Sequence, residues 1–153
     1  MKRNPTAPVI QHLDRPSCEA LLARHQVGRL AYTFRDRVDI EPIHYVYADG
    51  HVYGRTQYGT KVEVLAHHPW VAFEVDEVSA LFAWRSVVVH GRMTFPNPDG
   101  SPEERAQYER GVERFRELVP TAFTATDPTP HRDLVFMILV HDMTGRSATP
   151  PQG

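Results

Sequence analysis

Apolar positions in this chain repeat with a period of two over most of its length. Leu30, Tyr32 and Phe34 alternate with Arg29, Ala31 and Thr33, which predicts a strand with one face buried. Arg35-Asp36-Arg37 turns the chain into a second run of Val38, Ile40, Ile43, Tyr45 and Tyr47. Pro42 interrupts that run and lacks a ladder donor, so a bulge or an unpaired edge is expected there. Ala48-Asp49-Gly50 is a hairpin turn of the Asp-Gly kind and leads into a short strand over residues 52–55. Residues 70–75, a long run over 81–95, and 134–141 read as further strands.

Three segments carry helical spacing instead. Asp14 or Ser17 can cap a helix to about His25, with Cys18, Leu21 and Leu22 on one face and Gly28 at its end. Thr60-Lys61-Val62-Glu63 has the form of a capping box for a short helix stopped by His67-His68-Pro69. Ser101-Pro102-Glu103-Glu104 starts a third helix that runs to about Val119, with Val112, Phe115, Leu118 and Val119 facing inward. Six or so antiparallel strands with short hairpins and few helices predict an all-β barrel. A strand returning after the long helix favours Greek-key connectivity.

The 153 residues suit one domain, and 41% hydrophobic content is enough for a core. The folded domain is expected over residues 14–146, with flexible segments at 1–13 and 147–153. A net charge of −2 gives no electrostatic case for nucleic acid or membrane partners, and no apolar run is long enough to span a bilayer. The start of the chain does not read as a signal peptide, and one cysteine, Cys18, agrees with a reducing cytoplasm.

Candidate chemistry begins with an imbalance of cations. Of the 17 basic residues only Lys2 and Lys61 are lysines, so Lys61 is the sole lysine inside the expected fold. It follows Gly59 and Thr60 at a helix start, where free amides and the positive end of the helix dipole favour an anion, and Arg55 lies just upstream. A capped surface helix with a solvated lysine explains the same residues. Trp84-Arg85-Ser86-Val87-Val88-Val89-His90-Gly91 is a strand whose glycine suggests a bulge or a close approach. Pro42-Ile43-His44-Tyr45 could offer a flat slot and free main-chain groups to an aromatic ring. Each of the last two also reads as ordinary core strand. The nine histidines show no metal-site spacing, and nucleophile-elbow, Walker and dinucleotide motifs are missing. Cys18, on an apolar helix face, is no candidate nucleophile.

Taken in order, five stretches resemble one family. They are Val27-Gly28-Arg29-Leu30-Ala31, Pro42 to Tyr47, Val52 through Gly59-Thr60-Lys61 to Leu65, Pro69 to Val75, and Trp84 to Arg92. Together they are similar to the pyridoxamine 5′-phosphate oxidase-related FMN-binding split barrels, and most of all to the nitroimidazole-resistance (Nim-type) branch, which the ending Val140 to Arg146 also resembles. The resemblance implies a six-stranded antiparallel Greek-key split β-barrel and a homodimer whose two subunits share each flavin. It implies that Thr60 and Lys61, with Arg55 and Thr56, bind the FMN phosphate. Pro42, Ile43, His44 and Tyr45 would lie along the isoalloxazine, and Trp84, Arg85, Ser86 and Val87 would approach a flavin from the partner subunit. Where Nim-type proteins often carry His followed by Thr or Ser, this chain has Arg55-Thr56. The expected activity is FMN-dependent oxidoreduction of a small molecule. The alternatives are a deazaflavin reductase of the same fold, a flavin or haem holder without turnover, and an empty interaction module.

Overall fold

The computed structural model describes residues 6–151. Its elements are β1 (Val9–Leu13), α1 (Arg15–Arg24), β2 (Val27–Phe34), β3 (Arg37–His44), β4 (Val46–Ala48), β5 (His51–Thr56), α2 (Thr60–His67), β6 (Trp70–Ala80), β7 (Ala83–Thr94), α3 (Pro102–Leu118) and β8 (Leu134–Thr149). One antiparallel sheet runs in the order β3-β2-β6-β7-β8-β5-β4, with β1 added to β8. The fold is a split β-barrel with few helices.

Short-range chemistry sets the hairpins. Phe34 pairs with Arg37 around Arg35, whose φ is 53°. Asp49 and Gly50 have φ of 56° and 76°, the paired left-handed conformation of a tight hairpin. Pro42 is accommodated as expected on an edge strand, since β3 ends the sheet path. The bulge foreseen at Gly91 is also present, as a register shift between His90 and Gly91 opposite β8.

Eight strands form rather than six. The expected single strand through Tyr47 is divided at Tyr45, whose amide bonds the Gln26 carbonyl at 3.0 Å. Its side chain turns into the core, where its hydroxyl donates to the Leu22 carbonyl at 2.6 Å and its ring meets Phe73 edge-on at 4.9 Å. Tyr45 thus carries the chain from one end of the sheet path to the other, so the edge strands β3 and β4 are consecutive in sequence. The second additional strand is β1, paired over Val9↔Thr149 to Leu13↔Gly145. Residues 9–13 and 147–149, expected as flexible segments, are therefore sheet; residues 6–8 and 150–151 are in no strand or helix, and 1–5 and 152–153 lie outside the described residues. Backbone pairing, not apolar alternation, recruits β1, because its side chains are mostly exposed.

Two local expectations fail at helix ends. Gly28 does not end α1, which stops at Arg24; it lies in β2 beneath the Phe73 ring, where a Cβ would sit 2.2 Å from that ring. The capping box at Thr60 does not form either. Gly59 holds the cap position without a side-chain bond, and Glu63 accepts from the Tyr58 hydroxyl at 2.5 Å. The helix starts one residue earlier than the pattern implied, because the Val62 and Glu63 amides both reach the Gly59 carbonyl.

Leu30, Val52, Leu65, Phe73, Val75, Val87, Val89, Phe136 and Ile138 fill the barrel, with Cys18, Leu21 and Leu22 of α1 joined to the same cluster. Burial pushes the Cys18 thiol above its ordinary pKa, as suits a packed and unreactive cysteine. On the outer face, Glu74 and Asp76 of β6 sit 3.6 and 3.7 Å from the Arg29 guanidinium. Burial, and then the Asp76 carboxyl, push Glu74 up to about 7. A carboxyl raised on folding contributes full stability below its unfolded value of 4.5 and loses it as pH rises through about 7. Glu74→Gln is therefore expected to raise the melting temperature at pH 8 and leave it little changed at pH 5, as read by thermal denaturation at both values.

Candidate functional site

A cavity of about 370 Å³ opens where the ends of β3 and β5 meet α2, α3 and β8. Its walls include Val27, Glu41, Pro42, Ile43, His44, Thr56, Gln57 and Lys61, closed by Phe115 of α3, Phe136 of β8 and Arg132 of the α3–β8 connection. Chain order supplies one side, since β3 ends at the Tyr45 crossing and α2 follows β5 after three residues, and the pairing of β5 with β8 brings in the other. The lining combines a flat apolar wall with cations. A second cavity of about 270 Å³ adjoins it, sharing His44, Arg55, Phe115 and Arg132.

Lys61 lies in the first cavity, half-buried, and its ammonium pairs with the Glu41 carboxylate. Arg55 also borders the cavity, yet its charge is already engaged. Its two terminal nitrogens donate to Asp127 at 2.5 and 2.9 Å, one of them also to the Thr129 hydroxyl at 2.6 Å. Both side chains of the pair are only 3% exposed. The guanidinium is stacked between Phe115 and Phe123, 5.1 Å from each ring centre. Asp127 accepts two further bonds, from the Phe123 and Thr129 amides. The Arg55 guanidinium and these donors hold the Asp127 carboxyl well below the usual carboxylate range.

Of the residues singled out from the sequence, Pro42, Ile43, His44, Arg55, Thr56 and Lys61 share this cavity. Tyr45 is buried behind it in the core. Thr60 is on the other side of α2, in a groove with Phe34, Tyr58 and Glu63. Trp84, Arg85, Ser86 and Val87 open β7, paired with Ala148, Ser147, Arg146 and Gly145 of β8, away from the cavity of their own chain. Val87 points into the barrel core, and Arg85 is exposed opposite Glu77. Glu77 is itself held down to about 2, chiefly by Arg24 and also by His25 at 2.6 Å.

Sequence reasoning missed Glu41, Gln57, Phe115 as a cavity wall, Asp127 and Arg132. Glu41 and Asp127 are single acids with no motif around them. The helical pattern placed Phe115 inward correctly, but the cavity it faces belongs to the assembled barrel. Among the described residues no three His, Cys, Asp or Glu side chains are grouped to hold a metal, and no helix is long and apolar enough to cross a membrane.

The family model for pyridoxamine 5′-phosphate oxidase matches residues 14–147. An uncharacterised protein of Mycobacterium tuberculosis is 30% identical over 130 residues, covering 80% of this chain and 83% of that protein. A crystal structure of a FAD-binding protein from Mesorhizobium loti superposes with a TM-score of 0.71 at 26% identity, covering 92% of this chain and 99% of that one. A 5-nitroimidazole antibiotic resistance protein from Bacteroides thetaiotaomicron, described as putative, shares the fold with a TM-score of 0.65 at 17% identity, over 90% of this chain and 88% of that one.

Proposed function

The chain belongs to the pyridoxamine 5′-phosphate oxidase family, and from that premise we propose that it is an FMN-dependent oxidoreductase of a small molecule, working as a cytoplasmic homodimer. The observation that carries this reading is the cavity at the β3–β5 ends, where the one lysine of the described residues meets a flat apolar wall. The donor set fits a flavin phosphate: the Lys61 ammonium, the Thr56 hydroxyl and the Gln57 amide surround the same space, beside the start of α2. Pro42 and Ile43 present the flat surface a ring system needs. A bound flavin supplies the redox chemistry, and the protein positions it and excludes water. FAD binding by the Mesorhizobium protein supports a flavin of either length, so the nucleotide released on denaturation, identified by mass spectrometry, decides between FMN and FAD. A deazaflavin or haem found there overturns the FMN assignment.

Lys61 must exchange Glu41 for the phosphate, which gives opposite expectations for the two variants. Lys61→Ala is expected to weaken flavin binding by about 1–3 kcal/mol, the range of a charge-assisted contact. Glu41→Gln, which frees the ammonium, is expected to tighten it. Fluorescence titration with FMN reads both, and an unchanged affinity in Lys61→Ala removes that residue from the site. Reduction of the loaded protein by a nicotinamide donor separates an enzyme from a flavin holder.

The dimer reading rests on the outer face of β3, β2 and β6. Val38, Ile40 and Trp70 are 71%, 69% and 63% exposed there, a density of apolar surface that a second subunit would cover. In such a dimer Trp84, Arg85 and Ser86 at the start of β7 would serve the neighbour's cavity, while Val87 stays packed in its own barrel core. Sedimentation equilibrium of the wild type against Ile40→Lys tests this. A monomeric wild type overturns it.

A further inference from the structure

We propose that the second cavity, between α3, the α3–β8 connection and the ends of β2 and β3, is the substrate compartment, and that it selects a small carboxylate with an apolar body through Arg132. This rests on the flavin reading of the first cavity and assigns the space beside it.

Three observations support it. The two cavities meet along His44, Arg55, Phe115 and Arg132, so a molecule in the second lies against whatever fills the first. Of the two guanidinium groups at that boundary, Arg55 is fully engaged by Asp127 and Thr129 and closed between two phenyl rings. Arg132 has no side-chain partner among the described residues; its recorded bond is from its backbone amide to the Thr129 carbonyl. A guanidinium so placed offers the two-pronged donor geometry that matches a carboxylate. Much of the remaining wall is apolar, from Leu118, Val119 and Pro128 with the Phe115 ring beside the polar Gln26 and Thr129, and would shed water from the body of such a ligand. Lys61 borders the first cavity and not the second, so the two cationic sites serve separate ends of the cleft.

The Arg55–Asp127 pair anchors the turn from which Arg132, itself exposed, projects. Asp127 is bonded to the Phe123 and Thr129 amides, and Thr129 in turn receives the Arg132 amide. The connection is anchored to β5 two residues before the cavity's Gln57, and Arg132 projects from the anchored turn. Arg55 and Asp127 are thus positioning residues for Arg132.

The test is calorimetric titration with benzoate and with its uncharged isostere benzamide, on flavin-loaded and flavin-free protein. Benzoate is expected to bind more than about tenfold tighter than benzamide, as a charge-assisted pair requires. Arg132→Gln is expected to abolish that preference, Arg132→Lys to keep part of it, and Leu118→Trp to block both probes by filling the compartment. Equal affinity for the two probes, no benzoate binding, or an Arg132→Gln variant that loses flavin more than benzoate overturns the proposal. A chain that takes no flavin overturns the functional reading through the flavin titration alone. The benzoate series on flavin-free protein still decides this compartment.

Discussion

Asp127→Ala is expected to destabilise the fold by about 3–5 kcal/mol, the cost of leaving a buried charge without its partner. Arg55 cannot turn to solvent, since its side chain is 3% exposed and lies between the Phe115 and Phe123 rings. The loss is a large part of the roughly 5–15 kcal/mol available to a domain of this size. Urea denaturation followed by tryptophan fluorescence measures it. The double variant Arg55→Met, Asp127→Leu is expected to recover much of the stability, because replacing a buried pair by apolar groups removes both desolvation costs. A loss below about 1 kcal/mol in Asp127→Ala would mean that the pair is solvated like a surface bridge.

The same pair sets an acid limit. The Asp127 carboxyl is depressed on folding from an ordinary value of 3.8. Its contribution is therefore present above about pH 4 and lost progressively as pH falls below that, through the lowered folded value. Wild type should lose stability on acidification in that window, and Asp127→Asn should show a flatter profile from a lower starting point.

The second large effect concerns the ring over Gly54. Gly54 of β5 faces Phe136 of β8 in register, and a Cβ there would sit 2.2–2.8 Å from three ring atoms. Phe136 is buried and also lines the first cavity. Gly54→Ala must displace the ring, at an expected cost of about 1–3 kcal/mol, and Phe136→Ala must empty its place, at about 3–5 kcal/mol. The two are not additive: once the ring is gone the added methyl has room, and the double variant should be no less stable than Phe136→Ala alone. Additive losses in urea denaturation would show that Gly54 is required for a reason other than the ring. Because Phe136 borders the cavity, Gly54→Ala should also weaken flavin binding, whereas Tyr45→Phe, deep in the core, should cost only about 1 kcal/mol of stability through its bond to Leu22.

The sequence by itself determined the elements whose signals are local. Alternation over Leu30, Tyr32 and Phe34 yields β2 because a strand exposes every second side chain. Asp49-Gly50 yields the β4–β5 turn because two left-handed residues are needed there. Ser101 caps α3, its hydroxyl accepting from the Glu104 amide at 3.2 Å. The ordered motifs carried enough information to indicate the family, and to bring Pro42, Ile43, His44, Arg55, Thr56 and Lys61 under suspicion together.

What only the tertiary structure decided was partnership. Tyr45 divides an apparently continuous strand because the Leu22 carbonyl and the Phe73 ring are waiting in the core. Gly28 and Gly54 serve rings from neighbouring strands, a need that no flanking residue advertises. Arg55 finds its counter-charge 72 residues away, in a stretch with no regular element, and β1 joins a strand that ends 140 residues later. Periodicity and turn dihedrals act within a few residues, so they are written locally. Pairing register, ring-over-glycine contacts and buried charge pairs depend on which distant surfaces meet when the sheet closes, and only the closed barrel fixes that.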